Sequence, residues 1–274
     1  MRKIRRPSPS QLTKDKSPHK PIRSANTAPI LEFDPTRIAI IEPSRIYKRK
    51  DIPQHCVLCF FQDVIDDLIR SGARQIYAAK SEIGEHPVYE IEFEGKRLAF
   101  AHPGICAPLG VAMLEELIAL GACKFIACGG AGVLDSSIAV GSIIVPATAI
   151  RDEGTSYHYL PPAREVAAHP RAIAAIEKTL KRNGQDYILG KTWTIDAIYR
   201  ETRARMLARK REGCLCVEME AAAFFAVAKF RRVQFGQLLY GGDDLSGEWD
   251  RRDWTKHQIR ERLFTLAAES CLRM

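Results

Sequence analysis

The chain has 274 residues, 46% of them hydrophobic, which suits one large α/β domain and needs no metal or disulfide staple. No apolar run reaches the length of a membrane span, and no secretory apolar segment opens the chain. The formal charge of +8 is unevenly placed: residues 1–30 carry eight Lys/Arg against one acid, Asp15, so the nearly neutral body gives no reason to infer a nucleic-acid groove or a membrane partner.

Residues 1–30 also hold Pro7, Pro9, Pro18, Pro21 and Pro29 with several serines and few large apolar side chains. Such a segment buries too little surface to offset its ordering entropy, so it reads as a disordered, solvated tail ahead of a domain over 31–274. A polyanion-binding arm and a transit peptide are the competing readings. Residues 31–55 look irregular, with Asp34-Pro35 and Glu42-Pro43 as turn signals.

Strand and helix then alternate. Val57–Phe61 is a short apolar strand, and 62–70 has Val64, Ile65, Leu68 and Ile69 at helical spacing with Gly72 just past its end. Val88–Phe93 and Arg97–Ala101 flank Glu94-Gly95, a hairpin signal. Pro108–Leu120 is a helix stopped by Gly121, and Lys124–Cys128 a buried strand running into a Gly129-Gly130-Ala131-Gly132 turn. Gly141–Ala149 is a strand, followed by a polar loop from Arg151 to Pro162. Ala172–Lys181, Arg203–Glu212, Met219–Phe230 and Lys256–Cys271 are helices; Tyr187–Thr194, Cys214–Val217 and Gln234–Tyr240 are strands. This order predicts an α/β domain whose mixed sheet has helices on both faces.

The eight cysteines fit reduced, buried thiols of a cytoplasmic protein. Cys56 and Cys59, three apart on a strand, point to opposite faces, and Cys214 and Cys216 have no partner pair at zinc-like spacing. No metal site is expected.

Open α/β sheets bind ligands at the carboxyl ends of their strands. Three such ends are distinctive. Gly129–Gly132 lets a ligand approach the backbone closely, as any tight turn also would. Glu218 and Glu220 leave a buried strand for a helix; a carboxylate there can accept from both hydroxyls of a sugar, or rest against the helix dipole. Asp243 and Asp244 end a strand side by side, as a proton donor to a leaving group requires, or as a capping pair.

Gly-rich turn, Val217-Glu218-Met219-Glu220-Ala221-Ala222 and strand-terminal Asp243, in this order, resemble the superfamily of purine nucleoside phosphorylases, uridine phosphorylases and methylthioadenosine nucleosidases. The likeness runs from about Cys56 to the C-terminus. It implies a single three-layer domain with a central mixed, partly barrel-like sheet, and cleavage of the bond between ribose and nucleobase. Met219 then packs on the ribose, Glu220 grips its hydroxyls, and Asp243 assists departure of the base, with Asp244 the alternative. Ile198 and Tyr199 fall in the base-pocket stretch; Gly129 and Gly130 line the turn; Glu218 adjoins the sugar; Arg151 and His158 lie on a bordering loop. The family uses no metal or organic cofactor and forms dimers or hexamers.

The departures concern the acceptor. Family phosphorylases hold phosphate with Gly-Asp-Pro-x-Arg after the first strand; here the segment is Phe61-Gln62-Asp63-Val64-Ile65. The Arg and Ser/Thr of the glycine turn are here Ala127 and Gly130. A phosphate dianion needs charge-assisted donors, for which Arg45, Arg49, Lys80, Arg151 or a neighbouring subunit are the candidates. Three readings follow: a nucleoside phosphorylase acting on uridine or a purine nucleoside, a nucleosidase in which water replaces phosphate, and a nucleoside-binding protein without turnover.

Overall fold

The computed structural model describes residues 28–253 and 255–274. The predicted tail lies outside them except for its last three residues, where Pro29–Leu31 forms a 3-10 turn. Residues 32–54 are irregular apart from one helical turn, α1 (Pro43–Ile46).

Ten strands follow: β1 (His55–Cys59), β2 (Arg74–Ser81), β3 (Gly84–Phe93), β4 (Lys96–Ala101), β5 (Lys124–Val133), β6 (Ile143–Asp152), β7 (Glu165–Ala167), β8 (Tyr187–Ile195), β9 (Cys214–Glu218) and β10 (Gln234–Asp244). The longer helices are α2 (Gln62–Arg70), α3 (Ala107–Leu120), α4 (Pro170–Arg182), α5 (Arg203–Arg211), α6 (Ala221–Arg231) and α7 (His257–Leu272). The ten strands form one mixed sheet, and the helices pack against it.

Its strand order is β10-β6-β8-β9-β5-β1-β4-β3-β2, and β10 also pairs with β5. That second pairing closes β10, β6, β8, β9 and β5 into a five-stranded barrel, while β1, β4, β3 and β2 extend from it as an open sheet. Closure removes the edges that a flat sheet would leave unpaired. The expected three layers are present. Of the two larger apolar cores, one lies under α3 and α6, with Cys56, Phe125, Leu114 and Phe224, and the other under α2, α4 and α7, with Cys59, Ile126, Ile65 and Phe264. Cys56 and Cys59 fall in different cores, as their spacing on a strand requires, and all eight cysteines are free.

Several boundaries differ from the sequence reading. β2 and β7 carry no clear alternation and escaped it; β2 is largely exposed at the sheet edge, so burial left no pattern. β5 continues through the glycines to Val133, because β10 hydrogen-bonds it along its whole length. β6 runs two residues into the expected loop, carried by its parallel pairing with β8. α6 starts at Ala221, after Glu218 has accepted hydrogen bonds from the backbone N–H groups of Glu220 and Ala221.

Buried charge ties the irregular segment 32–54 to the helices. Arg231 of α6 pairs with Glu115 of α3 at 2.8 Å and with Glu42 at 3.0 Å. Both acids are buried. Removing the shared cation strands two carboxylates in a dry site, so Arg231→Met is expected to lower stability by about 3 kcal/mol. The midpoint of urea unfolding measures this, and Glu115→Gln in the same chain should recover part of the loss.

Candidate active site

The site is organised by a change of neighbour along β5. On one edge, β1 pairs with β5 up to Cys59↔Cys128, and β9 takes over at Gly132↔Val217. Between them, residues 129–131 have no strand partner on that edge among the described residues. β10 runs along the other edge and brings Asp244 beside Val133. Such a switch point is where an α/β sheet opens a crevice.

Small residues are required here by packing. A side chain at Gly130 would meet the ring and hydroxyl of Tyr240 at 3.3 Å, and Gly129 faces the Phe60 ring at 3.1 Å. A Cβ at Gly132 would overlap Leu245 and lie 3.3 Å from both the Asp243 Oδ1 and a Val217 methyl. Gly132 is therefore the floor over which β9 and β10 converge.

The β9–α6 junction holds two buried acids with different surroundings. Glu218 accepts at one oxygen from Thr194 Oγ1 (2.6 Å) and Thr192 Oγ1 (3.3 Å), and at the other from the N–H groups of Glu220 (2.8 Å) and Ala221 (2.6 Å). Both oxygens are occupied from within the protein, so Glu218 fastens the start of α6 to β8. Burial pushes its carboxyl up, and those four donors pull it back toward the ionised form. Glu220 accepts at Oε1 from the Cys106 N–H at 2.6 Å. Cys106 precedes α3 with φ of 73°, a left-handed backbone that turns this N–H toward the acid. Burial, then the charge of Glu218, push the Glu220 carboxyl up to about 8. Met219 between them is half-buried.

Asp243 and Asp244 separate cleanly. Asp244 is buried, accepts from the Ser246 N–H at 2.7 Å and makes a backbone bridge to Asp250, so it builds the turn. Asp243 is half-exposed, and its Oδ2 accepts from Trp249 Nε1 at 2.8 Å. Glu201 lies close by: burial, then the charge of Asp243, push its carboxyl up to about 7.

The remaining expected residues border this region or turn away from it. Ile198 and Tyr199 form an exposed 3-10 turn (Ile198–Arg200), with Tyr199 95% accessible. His158 is exposed on the 3-10 turn Thr155–His158. Arg151 is buried, donating to Ser156 Oγ (2.8 Å) and to the carbonyls of Pro161 (2.7 Å) and Leu160 (3.1 Å), which organises its own loop. That loop still reaches the site, since Gly154 N–H donates to Asp196 at 2.7 Å and the charge of Asp196 acts on Glu220. A cavity of about 490 Å³ between α2 and β3 lies elsewhere, and its Glu90 is paired with Arg97 and Arg74.

Residues 54–272 match the family model described as the phosphorylase superfamily. The chain belongs to the phosphorylase superfamily. Among curated relatives, a guanosine phosphorylase of Halorubrum lacusprofundi is 27% identical over 154 residues, 56% of this chain and 64% of that protein. A uridine phosphorylase of Thermococcus kodakarensis is 30% identical over 121 residues, 43% of this chain and 44% of the relative. The matches thus span less than two thirds of these relatives. The fold agrees with the uridine phosphorylase of Vibrio fischeri ES114 (TM-score 0.70, 23% identity, 84% of this chain and 98% of that one). It also agrees with the AMP nucleosidase of Bacteroides thetaiotaomicron (TM-score 0.64, 21% identity, 80% and 87%).

Within this superfamily member, the positions that matched the phosphate-binding residues are apolar and packed. Phe61, Ile65 and Ala127 are core residues, and the space beside Gly130 is filled by the Tyr240 ring. The cation near that turn is Arg260 of α7, which hydrogen-bonds Tyr240, pairs with Asp63 at 3.1 Å and lies over the Phe61 ring. Lys80 is paired with Glu85 on an exposed edge, Arg49 lies beside Gly121 at the far end of α3, and Arg45 is exposed on α1.

Sequence reasoning missed Glu201, Asp196, Trp249 and the Cys106 N–H. An Asp three residues before an aromatic, and an acid inside an Arg-rich run, gave a faint signal for the first two. Nothing local marks a backbone N–H or an exposed tryptophan.

Two outcomes are expected. Gly132→Ala should displace Leu245 and Asp243 together and lower turnover, read by steady-state kinetics, with the cooperative unfolding transition retained. The Glu220 carboxyl holds its proton to about pH 8 in the fold, against 4.5 for a free glutamate. Between those values the unfolded chain has lost the proton and the folded chain keeps it, so this contribution is fully present below about pH 4.5 and lost as pH rises to about 8. Glu220→Gln should therefore flatten the fall of melting temperature with pH; an unchanged slope would exclude a buried, protonated Glu220.

Proposed function

We propose that this protein is a nucleoside phosphorylase, cleaving the N-glycosidic bond of uridine or a purine nucleoside with phosphate as acceptor. The observation that carries the reading is the placement of Glu220, two residues past β9, and Asp243, on β10, by the two strands that pair with opposite edges of β5 at Gly132–Val133. Kinship to proteins named uridine and guanosine phosphorylase supports it.

In this mechanism the ribose hydroxyls lie against the Glu220 carboxyl, which fixes the sugar in the orientation that cleavage requires. The C1′–N bond breaks with its electron pair passing to the base, and Asp243 transfers a proton to the base nitrogen. A phosphate oxygen then bonds to C1′. Gly129 and Gly130 bring the backbone of the turn against the sugar, and Met219 packs beside it. Ile198 and Tyr199 border the base, where Glu201 adds a second carboxyl. No metal or organic cofactor enters these steps. The nucleoside is the small-molecule partner of a cytoplasmic homo-oligomer, dimer or hexamer. Exposed Ile38, Ile40, Ile41 and Ile46 give such an assembly apolar surface to bury.

One observation favours a second reading, hydrolysis. Phe61, Ile65 and Ala127 leave the turn without the charged donors that a phosphate dianion needs. The solved AMP nucleosidase of the same fold supports this alternative.

The test is release of free base from uridine, inosine, guanosine and adenosine, in phosphate and in phosphate-free buffer. Phosphate-dependent release with ribose 1-phosphate formation is expected; phosphate-independent release makes the protein a nucleosidase. Binding without turnover removes the enzymatic reading altogether. Asp243→Asn should reduce turnover at least about a hundredfold, the scale for losing a general acid. Full activity in that variant would transfer the role to Asp244.

A further inference from the structure

Trp249 is an unusual surface residue. It is 67% exposed, yet its indole N–H is bonded to the acid at the centre of the site. The loop carrying it is an arch pinned at both feet. Asp244 and Asp250 exchange backbone hydrogen bonds of 2.8 and 3.0 Å across its base. Arg252, held at φ of 49°, donates to the carbonyls of Gly242 (2.6 and 3.0 Å) and Ile138 (3.0 Å). The arch fixes where Trp249 begins, and the bond to Asp243 fixes where its ring lies.

An indole N–H can only donate. The Asp243 oxygen that receives it, Oδ2, must therefore act as an acceptor. A carboxylic acid carries one proton and its carbonyl oxygen is the stronger acceptor, so when Asp243 is protonated with this bond intact, the bond favours the proton on Oδ1. That oxygen lies 3.3 Å from the empty Cβ position of Gly132, over the floor where β9 and β10 converge. We infer that Trp249 is a positioning residue: its N–H holds Asp243 Oδ2 and so presents the proton on Oδ1 toward the departing base. This rests on the proposed bond cleavage. In it, the C1′–N electron pair goes to the base, the proton passes from Oδ1 to the base nitrogen, and C1′ is captured by phosphate or water. Trp249 changes neither side of the balance; it selects the oxygen from which the proton leaves.

The experiment compares two leaving groups in the full-length protein. A nucleoside requires proton transfer to its base. 4-Nitrophenyl β-D-ribofuranoside expels a phenolate that leaves without a proton. Trp249→Phe keeps an aromatic ring of similar reach and deletes the N–H; the exposed position makes the substitution tolerable to folding, checked by an unchanged melting temperature. The expected result is a kcat for the nucleoside reduced about tenfold, the scale of one hydrogen bond to a charged group, with KM little altered. The nitrophenyl riboside should react at the wild-type rate. Equal losses on both substrates would make Trp249 a stacking or structural residue and overturn the inference, as would no loss on the nucleoside. A wild-type protein inert toward both substrates would instead end the reading of the site on which the inference depends.

Discussion

Everything at the site depends on β5 serving three strands. Its first half is shared by β1 and β10, and its end by β9 and β10. A single strand can do this only if its side chains do not obstruct the neighbours that arrive and depart. Hence the run Gly129-Gly130-Ala131-Gly132, where the missing side chains are replaced by Phe60, Tyr240 and Leu245 from adjoining segments. The same constraint closes the barrel and opens the crevice. Glycine is used here for close approach between strands rather than for an unusual backbone angle.

The carboxylates gathered at that end are costly, because a buried acid must lose its charge or find donors. Two solutions stand side by side. Glu218 receives four protein donors and becomes part of the α6 anchor. Glu220, two residues on, has the Cys106 N–H at one oxygen and a carboxyl pushed up to about 8. Glu201 repeats the theme beside Asp243, its carboxyl raised by burial and by that neighbour's charge. Acids whose surroundings push them away from ordinary behaviour concentrate where chemistry is expected. The strained turn at Cys106 serves that arrangement, since its left-handed backbone turns the N–H onto Glu220.

The corner beside Gly130 is where the chain departs from the motif that its family resemblance implies. The Tyr240 ring occupies the space beside Gly130, and Arg260 reaches it from α7 while pairing with Asp63. These replacements come from three separate elements, β10, α7 and α2, and fit one another. They form one packed corner, in which aromatic surface lies beside the glycine turn.

By itself the sequence determined the alternation of strands and helices, the mixed sheet and the spacing of Glu220 and Asp243, because burial on a strand or helix face leaves a periodic apolar pattern. It also separated Cys56 from Cys59 by their parity on a strand. It could not place β2, whose exposed edge leaves no such pattern, nor show that β5 runs through its glycines, since that extension comes from pairing with a strand a hundred residues later. It put Asp243 ahead of Asp244 by resemblance alone, and the different surroundings of the two were beyond it. Asp244 is drawn into the bridge with Asp250 and Asp243 is left to Trp249, and only tertiary contacts distribute the two. The same holds for Glu218 and Arg151, whose donors and acceptors come from β8 and from their own loop. Local sequence fixes what a side chain can bond; the folded chain decides which partner arrives.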